Sequence, residues 1–114
     1  MFGGIVVKGD GEAAKQGYPT ANINVSREDV DLKTGVYAGY VFYRKEKYPA
    51  AIVIQDRPWK VEAHILEYHG DELYGVYLEV DVVQKVSEIE LLEKEELIQK
   101  IKEDVELVKE VLHV

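Results

Sequence analysis

Gly35-Val36-Tyr37-Ala38-Gly39-Tyr40-Val41-Phe42-Tyr43 is the stretch on which the fold turns. Its β-branched and aromatic side chains suit a pleated, half-buried surface better than a helix. Arg44-Lys45-Glu46-Lys47 breaks the run and Tyr48 to Gln55 resumes it, which predicts a hairpin, with Asp56-Arg57-Pro58 as the turn that follows.

Working outward toward the N-terminus, Thr20-Ala21-Asn22-Ile23-Asn24-Val25 alternates apolar and polar residues as a half-buried strand does. Gly3 to Lys8 reads as a short buried strand that runs into a turn at Gly9-Asp10-Gly11, and Glu12 to Tyr18 reads as a polar loop. Toward the C-terminus, Val61 to Tyr68 and Leu73 to Val83 are expected strands, with His69-Gly70-Asp71-Glu72 as their hairpin loop. Six strands with short connections predict a mainly β fold, a six-stranded antiparallel closed barrel. The tail has a different period: Ile98, Ile101, Val105, Val108 and Leu112 recur every three or four residues, which predicts one C-terminal helix over Glu93 to Leu112. Glu93, Glu95 and Glu96 in its first turn favour the positive end of the helix dipole.

A chain of 114 residues without linker or repeat is expected to be a single domain over 1–114. The net charge of −8 opposes attraction to nucleic acid and to anionic membranes, because both need clustered Lys and Arg. A polyphosphate ligand would need a divalent cation or backbone N–H groups to offset the same repulsion. No cysteine is present, so disulfides and thiolate metal sites are excluded. With no long apolar run and no basic leader, the chain reads as a cytoplasmic monomer that binds small molecules.

Few residues carry chemistry on spacing alone. Gly9-Asp10-Gly11 lacks the Gly-Lys-Ser/Thr ending of a phosphate-cradling loop. Glu62 and His64 share a strand face but have no evident further metal ligands. Gly17-Tyr18-Pro19-Thr20-Ala21-Asn22 places a hydroxyl and a carboxamide on one strand face after a glycine-bracketed loop, and a magnesium–phosphate ligand wants such oxygen donors. On spacing alone, a strand start with two outward polar residues is the better reading.

Gly17-Tyr18-Pro19-Thr20-Ala21-Asn22-Ile23 resembles the Gly-Phe-Pro-Thr-Ala-Asn signature of riboflavin kinases, including the kinase module of bifunctional FAD synthetases. Gly35-Val36-Tyr37-Ala38, Val61-Glu62-Ala63-His64 and Asp71-Glu72-Leu73-Tyr74-Gly75 resemble, in order, the family's Gly-Val-Tyr, Val-Glu-x-His and Asp-Leu-Tyr-Gly motifs. Glu95 to Asp104 resembles its closing Glu-Glu-Leu-x-x-Gln-Ile-x-x-Asp helix. The resemblance implies a Mg²⁺-dependent transfer of the ATP γ-phosphate to the 5′-hydroxyl of riboflavin, giving FMN and ADP. It implies Glu62 as general base, Thr20 and Asn22 as holders of Mg²⁺ and phosphates, and Gly11, Lys15 and Gly17 as further phosphate-binding positions. Trp59, in the loop before Glu62, is a candidate flavin contact.

The departures fall on loops. Lys15 is the one cation of Glu12-Ala13-Ala14-Lys15-Gln16, where the family carries several basic residues. Ile54 to Lys60 replaces a longer stretch, and Ser87 stands at the arginine of an Arg-x-Glu group. The family's adenylyltransferase module has no counterpart here, so FAD is not an expected product. The altered loops leave two other readings open: a flavin- or nucleotide-binding module without turnover, and a kinase of another small alcohol.

Overall fold

The computed structural model describes residues 1–8 and 19–114. Six strands, β1 (Phe2–Val7), β2 (Thr20–Asn24), β3 (Gly35–Tyr43), β4 (Glu46–Gln55), β5 (Lys60–Ile65) and β6 (Tyr77–Ser87), precede a helix, α1 (Lys94–Leu112). They close into an antiparallel barrel in the order β1-β2-β5-β4-β3-β6. Gly35 to Tyr43 is β3, and its hairpin to β4 turns through Arg44 and Lys45, both at positive φ (50° and 67°), as a tight two-residue connection requires.

One expectation is corrected. Val61 to Tyr68 and Leu73 to Val83 do not form a hairpin: β5 pairs with β2 and β4, while β6 pairs with β1 and β3. Both edges of β5 are already taken, so the chain from 66 to 76 crosses to the far side of the barrel and β6 starts only at Tyr77. Backbone bonds fix this crossing at each end, from the Leu66 N–H to the Pro49 carbonyl and from the Gly75 N–H to the Val6 carbonyl. Gly75, at φ 80°, supplies the left-handed residue the path needs.

Alternation along the strands creates two apolar clusters. The barrel interior is filled by Val6, Ala21, Ile23, Val41, Ile52, Ile54, Val61, Ile65, Leu78, Val80 and their neighbours, and Tyr37 reaches in from β3 while its hydroxyl donates to the Lys33 carbonyl at 2.7 Å. The outer wall of β3 and β4 (Val36, Ala38, Ala51) packs against Ile101, Val105, Val108 and Leu112 of α1. The helix period therefore predicted Ile101, Val105, Val108 and Leu112 of the buried stripe, whereas Leu97 rather than Ile98 packs against this cluster. Tyr40 lies half-buried beside this outer cluster, with the Lys47 ammonium 4.2 Å from its ring centroid. At Gly39, a Cβ would come within 2.5 Å of the Asp81 carbonyl oxygen, so only glycine lets β6 approach β3 at its register shift.

Candidate functional site

Because Ala21, Ile23, Val61, Ala63 and Ile65 face the interior, Thr20, Asn22, Lys60, Glu62 and His64 face outward. The β2–β5 ladder sets Thr20 directly opposite His64 and Asn22 directly opposite Glu62. Opposite residues on one face of an antiparallel pair hold their Cβ atoms about 4.5–5.5 Å apart. Residues forty positions apart in sequence thus form a compact polar square. Asn22, Glu62 and His64 are all buried there. Lys60 lies two residues before Glu62 on the same face and sets its ammonium 3.2 Å from the Glu62 carboxylate.

The square sits on the partition between two cavities. The larger, ≈310 Å³, lies between the outer wall of β4 and β5 and the segment running from Ile89 into α1; Lys60, Glu62 and His64 stand along one side of it. Its walls are otherwise largely apolar, from Val36, Ala51, Val53, Ile89, Leu97 and Ile101. The smaller, ≈170 Å³, lies beside the 70–74 segment and is lined by Thr20. That segment is ordered by Tyr68, whose hydroxyl donates to the Asp71 carbonyl at 2.6 Å and whose ring meets Tyr43 and Tyr48 edge-on. Burial, then its tyrosine and Asp71 neighbours, pushes the Tyr68 phenol above its ordinary value, which keeps it a donor.

Glu62, Thr20 and Asn22 are therefore brought together. Gly11, Lys15 and Gly17, with the turn at 9–11 and the loop 12–18, lie outside the described residues. Trp59 lines neither cavity. Its indole N–H donates to the Val25 carbonyl at 2.7 Å and its ring carries the Arg27 guanidinium 5.3 Å from its centroid, with Arg27 in turn bonded to both carboxylate oxygens of Asp56. These contacts tie the 56–59 turn to the end of β2.

Sequence reasoning missed a second polar group at the larger cavity. Lys100 donates to Asp104 at 2.7 Å and to the Ser87 hydroxyl at 3.0 Å, while Ser87 donates to the other Asp104 oxygen at 2.7 Å. The signal was present: Lys100 and Asp104 lie on the same helical stripe as Leu97, Ile101 and Val108 rather than on the solvated face.

No group of three or more His, Cys, Asp or Glu able to hold a metal occurs among the described residues. A magnesium ion does not need one, since it keeps several waters and is usually held by one or two carboxylates together with substrate phosphates. Thr20 and Asn22 would offer neutral oxygens, so the phosphates would supply the negative charge at such a site.

Comparison with known proteins places the chain in a family. The family model "Flavokinase: Riboflavin kinase" matches residues 1–112. A bifunctional riboflavin kinase/FMN adenylyltransferase of Mycoplasma pneumoniae is 32% identical over 99 residues, covering 80% of this chain and 36% of the relative, so the chain spans about a third of that protein's length. A Trypanosoma brucei riboflavin kinase structure shares the fold with a TM-score of 0.71 at 24% identity, over 97% of this chain and 75% of that one. A Streptococcus pneumoniae structure described as a macrolide-efflux protein also shares the fold, with a TM-score of 0.83 at 24% identity, over 95% of this chain and 38% of that one. No helix among the described residues is long and apolar enough to cross a membrane. With the barrel, the paired motifs and a family match over nearly its whole length, this chain belongs to the riboflavin kinase family.

Proposed function

We propose that the chain transfers the γ-phosphate of ATP to the ribityl 5′-hydroxyl of riboflavin, giving FMN and ADP. The observation that carries this reading is the polar square on the partition, with Glu62 and His64 facing the larger, mostly apolar cavity and Thr20 facing the smaller one. An acceptor with a flat apolar ring suits the larger cavity, and the nucleotide phosphates would approach Thr20 from the smaller, where Asp71 and Glu72 in the lining call for a bound cation to offset repulsion. Their reacting atoms then meet at the ladder.

Phosphoryl transfer asks for little beyond position and charge balance. The acceptor oxygen forms a bond to the γ-phosphorus as the bond from phosphorus to the bridging oxygen of ADP breaks, and Glu62 takes the hydroxyl proton. Lys60, ion-paired to Glu62, keeps that carboxylate oriented. Asn22 stands directly opposite Glu62 on the same ladder, where its carboxamide would help to position the transferred phosphate. Mg²⁺, held by Thr20 and Asn22 together with phosphate oxygens, would supply the positive charge that a chain of charge −8 lacks near a polyphosphate.

Purified protein incubated with riboflavin, ATP and Mg²⁺ should form FMN, separable by chromatography, with one ADP released per FMN. Flavin binding without either product would favour a non-catalytic binding module. ADP formed only with a different alcohol would reassign the acceptor.

A further inference from the structure

The group at Lys100 is not explained by helix packing. Ion pairs spaced i,i+4 on a helix are normally solvated and contribute little. Here the Lys100 and Asp104 side chains are only 12% and 11% exposed, and both line the larger cavity. A buried ion pair that served only to fasten α1 to β6 is often matched or bettered by apolar residues of similar volume. An ammonium has three N–H donors, and Asp104 and Ser87 occupy two of those on Lys100. Ser87 on β6 holds Lys100 from the strand side, so a cation fixed from both the strand and the helix lines the cavity.

We propose that Lys100, fixed by Asp104 and Ser87, is a specificity-determining residue that donates its remaining N–H to a carbonyl oxygen on the polar edge of the acceptor's ring. The assignment rests on the reading that the larger cavity takes the flavin. In a cavity walled largely by Val36, Ala51, Val53, Leu97 and Ile101, a few fixed polar groups decide how a flat ring is oriented. Glu62 and His64 serve the hydroxyl end. Lys100 and Asp104 are the charged pair that α1 contributes, and the pyrimidine-dione edge of a flavin offers the carbonyl acceptors an ammonium requires. A ring without such a carbonyl would leave a largely desolvated donor unpaired, and this mismatch is the source of discrimination.

The test compares wild-type protein with Lys100→Met and Lys100→Arg. Riboflavin binding is followed by quenching of flavin fluorescence, ATP and riboflavin dependence by FMN formation, and folding by urea unfolding. A hydrogen bond to a charged donor is worth about 10–100-fold in affinity. Lys100→Met should weaken riboflavin binding and raise its KM by that factor, with KM for ATP changed no more than a few-fold, and Lys100→Arg should retain most of the affinity. A second measurement does not depend on how well the Met variant folds: wild-type protein should prefer riboflavin over analogues whose ring carbonyls are replaced by thiocarbonyls. Equal riboflavin affinity in wild type and Lys100→Met would overturn the assignment, as would the absence of any preference for the oxo compound. Parallel loss of flavin and ATP affinity with a lowered unfolding midpoint would instead make the group a structural latch. If wild-type protein binds no riboflavin at all, the proposed function itself fails, an outcome distinct from the loss of Lys100's role alone.

Discussion

The inside and the outside of the barrel are built on opposite rules. The interior cluster holds only apolar side chains and Tyr37, whereas Asn22, Glu62, His64 and Asp104, the buried polar and charged residues among those described, all lie outside it. Burying a polar group costs free energy unless it is partnered, and burying a charge costs more. The interior avoids that cost. The outer wall accepts it in the strip beside α1 and the β2–β5 ladder, where the larger cavity opens. The difference separates the part of the molecule that holds it together from the part that is shaped for a ligand.

Substitutions inside and outside the barrel should therefore fail in different ways. Ile52→Ala, at a side chain with no exposed surface, should lower stability by about 2–5 kcal/mol in urea unfolding through lost burial and a residual cavity, while the folded fraction keeps its affinity for riboflavin. A variant that stayed as stable as wild type would show that the interior collapses freely, and the division would blur. Asn22→Ala, on the outer face opposite Glu62, should reverse the pattern: FMN formation falls about 10²-fold through lost positioning of the phosphates, with the unfolding midpoint shifted much less. The smallest effect is expected at the exposed rim. Hydrogen bonding from Arg27 holds the Asp56 carboxyl below the usual carboxylate range. A group with a depressed folded value stabilises the protein above its unfolded value, near 4, and loses that contribution as pH falls through the folded value. Asp56→Asn should thus lower the melting temperature slightly at neutral pH, and the gap from wild type should close in acid.

The same division governed what was legible in the sequence. The β3–β4 hairpin and the helix stripe could be read because a period of two or of 3.6 is written locally, and so could the alternation of Ala21, Ile23 and Val25 in and beyond β2. The partners of β5 could not, because periodicity says which face is buried and nothing about which edge is taken; the expected hairpin to β6 failed for that reason. The opposition of Asn22 and Glu62 is likewise a property of the closed barrel, and only the family signature suggested that these two positions work together. Periodicity alone gave Lys100 and Asp104 no role, although their position on the stripe with Ile101 and Val108 places them against the barrel. At Trp59, a place in the loop before Glu62 suggested a ligand contact, but the bond to the Val25 carbonyl and the covering Arg27 depend on the end of β2 folding back onto that turn.

The most direct test of the account is Glu62→Gln, which keeps the side chain's size and hydrogen-bonding capacity but removes its ability to accept a proton. FMN formation, flavin binding and urea unfolding should be measured on the same preparation. The account predicts that turnover falls by about 10²–10⁴-fold, the usual contribution of a positioned base, while riboflavin still binds and the barrel remains as cooperatively folded as before. Undiminished turnover in a folded Glu62→Gln protein would contradict it, because the outer-wall carboxylate would then be structural and the proton would have to leave by another group.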